Sequence, residues 1–254
     1  MSRTLVLAIP WTLALAVAAP GPARSQADAA AQGDRLMAES RTEAAIEAYR
    51  AGLAAQPDDP ALLWKTARAI SNLTDETPGD AGDEARMEEA VELSHRAVRA
   101  GPGMSRTHTT LAASLGKLAL FRGGKRKVEL AREVGREARR GAELDPQDFA
   151  PFTVLGVLER ELATLNPLLR GFAGALFGGV PDASLDRSAA LLVRATRLGS
   201  GYIAPHLELA RTYAEMDRDA DARVALERAL ALPPRERLDV LLQDQARELL
   251  RDLD

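Results

Sequence analysis

The chain contains no cysteine. That excludes disulfide frameworks, zinc ribbons, thiol catalysis and a lipid-modified N-terminal cysteine. It leaves the compartment open, because an exported helical protein can do without bridges. Aromatic residues are scarce, at 4% of a chain that is 46% hydrophobic. Ala and Leu make up the difference, and both cost little to hold helical. A sandwich or a parallel sheet would call for more Val, Ile, Thr and aromatics. Histidine occurs at only three positions, His95, His108 and His206. No H-E-x-x-H, phosphate loop or nucleophile elbow is present, and Gly178-Gly179 lacks the Lys-Ser/Thr that a phosphate loop needs. The expectation is a protein that is not an enzyme and uses no cofactor and no metal.

The N-terminus reads as a targeting segment. Met1-Ser2-Arg3 gives a positive start, and residues 4–19 are apolar and uncharged. Pro20-Gly21-Pro22 breaks the run, and Ser25-Gln26-Ala27 offers small residues to a signal peptidase. The run is short for a membrane span and is interrupted at Pro10. The expected division is a signal peptide over 1–27 and a repeat domain over 28–254, with a periplasmic or secreted location. Both Arg3 and Arg24, and no acid, fall in the first part, so the rest is more acidic than the full chain's net charge of −4.

What is abundant is periodic. His206, Leu209, Ala210 and Tyr213 share one helix face, and Ala222, Leu226 and Ala229 share another beyond the polar break Asp217-Arg218-Asp219. Pro234 closes the unit. This register resembles the 34-residue tetratricopeptide (TPR) pattern. It recurs with Ala45, Tyr49, Gly52 and Pro57, with Ala90, Ala97 and Pro102, with Ala138, Gly141 and Pro146, and with Phe152, Leu155 and Gly156 leading to Leu192, Ala195 and Leu198. Small residues let paired backbones approach, and stacking buries apolar faces that no pair can bury alone. The expected fold is an all-α superhelix of about five TPR-like pairs, with residues 235–252 as a capping helix. Helices are expected over 60–73, 84–100, 203–215 and 220–232, with Tyr49, Leu155, Leu209 and Leu226 buried. The closing positions 57, 102, 146, 200 and 234 are unevenly spaced, which places insertions inside three pairs. One is acidic (74–84), one basic (122–127) and one apolar (163–181).

Residues 168–198, LLRGFAGALFGGVPDASLDRSAALLVRATRL, resemble the regulator of microtubule dynamics family and its bacterial relatives. The carriers are Leu176-Phe177-Gly178, Pro181 and Ser184, in a segment inserted before a repeat's second helix. The resemblance implies a TPR-like fold from about residue 29 to the C-terminus and brings no catalytic residue. An exported chain would not meet microtubules, so that association of the eukaryotic members is not carried over.

His108 and His206 occupy equivalent positions of first helices and are expected as packed residues. The acidic loop Asp75, Glu76, Asp80, Asp83 and Glu84 lacks the alternating oxygen spacing of a calcium loop. The basic run from Arg122 to Lys127 is offset by Glu129, Glu133 and Glu137 at helical spacing, and an acidic protein does not suit nucleic acid. The run leaves room for an anionic partner or peripheral membrane association. The candidate binding site is the concave groove. The wall positions of the first helices hold Trp64, Arg68 and Ser71, then Arg160, then Leu207 and Arg211, with Arg106 at the mouth of the third unit. Arginine repeated on one wall suits a carboxylate, because its fork binds bidentately. The expected function is a protein-interaction module binding a peptide, helix or acidic tail of a cell-envelope protein through Trp64, Arg68, Arg106, Arg160 and Arg211. The alternative is a self-assembling subunit that uses the apolar segment 163–181, with Phe172 and Phe177 at its centre. Oligomeric state is not readable from the sequence.

Overall fold

Short acid or hydroxyl side chains start several of the helices. A computed structural model describes residues 22–165 and 183–253, with side chains from Asp28 onward. Helices α1 (Pro22–Ala38) and α2 (Thr42–Ala55) form the first antiparallel pair, and α3 (Pro60–Glu76) and α4 (Asp83–Ala100) the second. The third joins α5 (Ser105–Leu118) to α6 (Gly124–Leu144) through a 3₁₀ turn at Ala119–Phe121, and α7 (Phe149–Ala163) with α8 (Leu185–Leu198) is the fourth. The fifth is α9 (Ile203–Ala214) with α10 (Asp219–Ala231), and α11 (Arg237–Asp252) follows. The described residues contain no strand. The fold is the expected superhelix of five pairs and a terminal helix.

Asp59 caps α3 by accepting the Leu62 amide at 2.7 Å, ahead of Pro60 at the first helical position. Asp148 accepts from Ala150, and Ser184 from Arg187 at 3.1 Å, at the starts of α7 and α8. Ser184 is the one carrier of the family segment among the described residues, and its part there is that of an N-cap. In the first and last pairs the helices meet through tight turns with Ser40 and Asp217 in left-handed backbone (φ 59 and 55). The Arg41 and Arg218 amides then reach back to the Leu36 and Tyr213 carbonyls, satisfying groups the helix end leaves open.

Packing follows the small-residue register. A Cβ at Gly33 would stand 2.1 Å from the Tyr49 ring, and one at Gly156 would stand 2.5 Å from Leu192 Cγ. Tyr49, Leu192 and Leu226 are fully buried, and Leu155 and Leu209 are buried as well. One apolar cluster runs from Met37 to Leu155 through the first four pairs, and a second joins α8, α9, α10 and α11. His108 and His206 are packed, His108 between Glu137 (2.7 Å) and the Pro102 carbonyl (3.0 Å).

Two insertions are less loop-like than the sequence implies. The acidic one is shared out, since α3 runs to Glu76 and α4 starts at Asp83. Its carboxylates are satisfied internally, Asp75 by Lys117, Asp80 and Asp83 by Arg86, and Glu84 by Arg122. The basic one follows the 3₁₀ turn directly and runs into the first turn of α6, which is 21 residues long. Most of the apolar segment 163–181, with Phe172 and Phe177, lies outside the described residues, as do residues 1–21. Residues 22–27 belong to α1.

Candidate functional site: the concave wall

Each first helix packs on its own partner and also touches the first helix of the next pair, α3 on α5, α5 on α7 and α7 on α9. Among the described residues the backbones of successive second helices do not approach comparably, although Arg50 of α2 reaches Glu89 of α4 at 2.6 Å. The stack therefore curves with the first helices inside, and they form the concave wall.

Arg68 on α3 projects from this wall and donates to Glu236 Oε1 at 3.1 Å and Oε2 at 3.3 Å. Asn72, one turn on, donates to Glu236 Oε1 at 3.1 Å. Glu236 is the residue that precedes α11, so the end of the chain returns to the second pair. Arg237 adds a contact to Glu76 at 3.6 Å, and Glu76 also accepts from Thr42 at 2.8 Å. Burial raises the Glu76 carboxyl above its usual range, against the lowering effect of Thr42 and Arg237. Arg68 keeps a further donor, since its Nε is buried without a partner.

Trp64 is half-buried against the core cluster, with Lys65 Nζ 5.4 Å from its ring centroid. Lys65 in turn holds Asp34 at 2.6 Å, and the Tyr49 hydroxyl donates to the same carboxylate at 2.7 Å. Burial and that acidic neighbour push the phenol far above its ordinary value. Tyr49 thus anchors the wall as a neutral donor.

The remaining arginines are engaged further along. Arg160 is buried and donates to the Glu208 carboxylate at 2.7 Å and to the Glu208 carbonyl at 3.1 Å, tying the fourth pair to the fifth. Arg211 donates to the other oxygen of Glu208 at 2.6 Å and to Gln245 of α11 at 2.8 Å. Arg106 meets Asp148 at 3.0 Å and lies 5.9 Å from the Phe149 ring centroid. Ser71 is buried, 3.5 Å from Ser114, and Leu207 is a fully buried core residue. Of the positions expected on an open wall, Leu207 is covered and Arg160 sits deep in a junction. Glu208 pairs locally with Arg211, three residues on along α9. Glu236, Asn72 and Gln245 were not singled out from the sequence. Their partners lie up to 168 residues away, and no local pattern announces such a contact.

Beside this closure a cleft of about 910 Å³ opens between the end of α3 with the turn after it (Asp75, Glu76, Pro78) and α11 (Leu241, Gln245, Leu250). Among the described residues no helix is long and apolar enough to cross a membrane.

A curved stack of antiparallel pairs with a lined inner wall defines the class of TPR-like helical-repeat proteins. Its solved likenesses agree. A thermophilic TPR protein of Thermus thermophilus superposes with a TM-score of 0.66 at 19% identity, covering 89% of this chain and 99% of that one. Pseudomonas aeruginosa pilF gives 0.55 at 13% identity, over 92% and 90%. Within this class the chain belongs to the regulator of microtubule dynamics protein 1-3 family, which matches residues 29–254. Mouse regulator of microtubule dynamics protein 3 is 25% identical over 74% of this chain and 40% of its own length. The bovine protein 1 is 24% identical over 77% and 62%, and the human protein 2 is 21% identical over 85% and 53%. The chain thus spans about half the length of these relatives.

The kinship corrects the periplasmic or secreted location expected from residues 1–27. The relatives are animal proteins named for microtubule dynamics, and animal cells have no periplasm. With that expectation goes the reason for setting microtubules aside.

Proposed function

We propose that the chain is a protein-interaction module whose concave wall takes an acid-bearing segment of a partner, with Arg68 and Asn72 as the carboxylate subsite and Trp64 as the apolar neighbour. The observation that carries this is Glu236. The chain places one of its own carboxylates on those two donors from 164 residues or more away. A wall that holds an internal carboxylate in this way has the geometry to hold an external one, and stacks of this kind bind through their concave faces. Arg160 and Arg211 act behind this subsite, keeping the fourth pair, the fifth pair and α11 in register through Glu208 and Gln245. Arg106 holds the start of α7.

Internal occupancy reduces apparent affinity by the fraction of molecules in which the subsite is free. Glu236→Gln should therefore tighten binding of acidic peptides, and Arg68→Ala should weaken it at least several-fold. The measurement is calorimetric titration of the full chain with peptides ending in a free carboxylate or an amide. Equal affinity of both variants with the parent would overturn the reading. The names of the relatives put proteins of the microtubule system first among the partners to capture.

A further inference from the structure

We infer that the tip between α5 and α6 is a docking point for an anionic lipid surface, separate from the concave wall. Leu118 and Ala119 are buried and anchor the tip, but the next two residues turn outward. Leu120 is 74% exposed, more than any other large hydrophobic residue described, and Phe121 beside it is 39% exposed. They are the only adjacent pair of exposed large hydrophobics among the described residues. Arg122 folds back onto Glu84 and Glu88 of α4, which holds the tip at the edge of the stack. Gly124, at φ 53, then turns the chain into α6, whose first turn presents Lys125, Arg126 and Lys127, all exposed.

Neither half of this arrangement serves the fold. Cations in the first turn oppose the helix dipole, which favours acids there. An exposed Leu-Phe pair forgoes the gain of burial. Glu129 is the acid nearest in sequence, and it meets Lys125 at 3.7 Å and Arg126 at 3.4 Å, while the Lys127 side chain pairs with no acid among the described residues. Positive charge is thus concentrated here on a chain whose net charge is −4. An anionic bilayer resolves both costs together, taking the apolar side chains at the acyl boundary and the lysines and arginine at the headgroups. The tip protrudes, and a fluid surface adapts to a protrusion that would need a matching pocket on a folded protein.

The absence of cysteine permits a position-specific test on the full chain. Phe121→Cys carries a single environment-sensitive fluorophore, and Val224→Cys, exposed on α10, carries the control. Both are titrated with phosphatidylcholine vesicles with and without about one third phosphatidylserine. The expected result is a blue shift at position 121 alone, with phosphatidylserine alone, weakening as salt rises. Adding Lys125→Glu and Lys127→Glu should raise the lipid concentration needed at least tenfold while the helical circular dichroism is unchanged. No shift at 121, an equal shift at 224, or an undiminished response after charge reversal would overturn the inference. So would a response at 121 to soluble polyglutamate with none to vesicles, which would assign the tip to an acidic protein.

Discussion

A methyl group at Gly33 would meet the Tyr49 ring at 2.1 Å, whereas one at Gly116 would find its nearest neighbour, Val134, at 3.9 Å. Both glycines are helical, so both substitutions by Ala gain up to about 1 kcal/mol of helix propensity. Only the first forces a rigid, fully buried ring to move, an overpacking that costs about 1–3 kcal/mol. Gly33→Ala should lower the urea midpoint and Gly116→Ala should raise it. A stabilised Gly33→Ala would show that the ring has room to shift. His206 makes a pH-dependent contribution. Burial depresses its pKa below the usual value, a bond with the Ser200 backbone opposes this, and Arg228 adds to the depression. The folded state therefore favours the neutral ring. Above the unfolded value near 6.5 this contribution is fully present, and it is lost as pH falls through the lower folded value. Unfolding midpoints measured from pH 7.5 down to 5 should fall less steeply for His206→Gln than for the parent.

At the scale of helices, α11 is held by more than its apolar face. Ala246 is fully buried, and Leu242, Leu249 and Leu250 pack on the last cluster. The side-chain amide of Gln243, itself buried, donates to the carbonyls of Ala229, Leu230 and Leu232 at 3.3, 3.3 and 2.8 Å. These close the open end of α10 in place of an ordinary C-cap. Gln243→Ala would leave them without that donor and should cost about 1–3 kcal/mol. Hydrogen exchange should quicken first in α10 and α11. Uniform change along the chain would argue that the last pair has no separate stability.

The whole molecule is a curved stack closed on itself by a polar contact. Arg68 and Asn72 on one side and Glu236 on the other join the second pair to the start of the terminal helix. Arg68 is 41% exposed, so solvent screens the pair. A double-mutant cycle between Arg68→Ala and Glu236→Ala should give a coupling of about 0.5–1 kcal/mol. Repeat stacks sum nearest-neighbour terms, and a contact across the curve adds stiffness out of proportion to its energy. Small-angle scattering should therefore show a larger radius of gyration for Glu236→Ala than for the parent. An unchanged radius with a near-zero coupling would mean that the cap alone sets the curvature.

The recurrence of small residues at Ala45, Ala97, Ala138, Ala195 and Ala229 was enough to place five pairs. Spacing is local information, and a helix pair that cannot bury its face alone has few ways to stack. The proline stops were legible for the same reason, since each acts on backbone next to it; the caps at Asp59, Asp148 and Ser184 are equally local but were not read from the sequence. The inserted segments were less so. Whether an acid-rich stretch lengthens two helices or forms a loop depends on Lys117 and Arg122, which approach from the third pair, as well as on the local Arg86. The apolar run at residues 4–19 suggested a destination that kinship with animal proteins overturned, because a run of apolar residues followed by small ones carries little information. The arginines of the wall could be counted in the sequence, but which of them stay open could not. Periodicity determines which face of a helix turns inward. Tertiary packing alone brings Glu236 onto Arg68 and Glu208 onto Arg160, because rotations between pairs set those distances and no single repeat encodes them, whereas Arg211 meets Glu208 along its own helix.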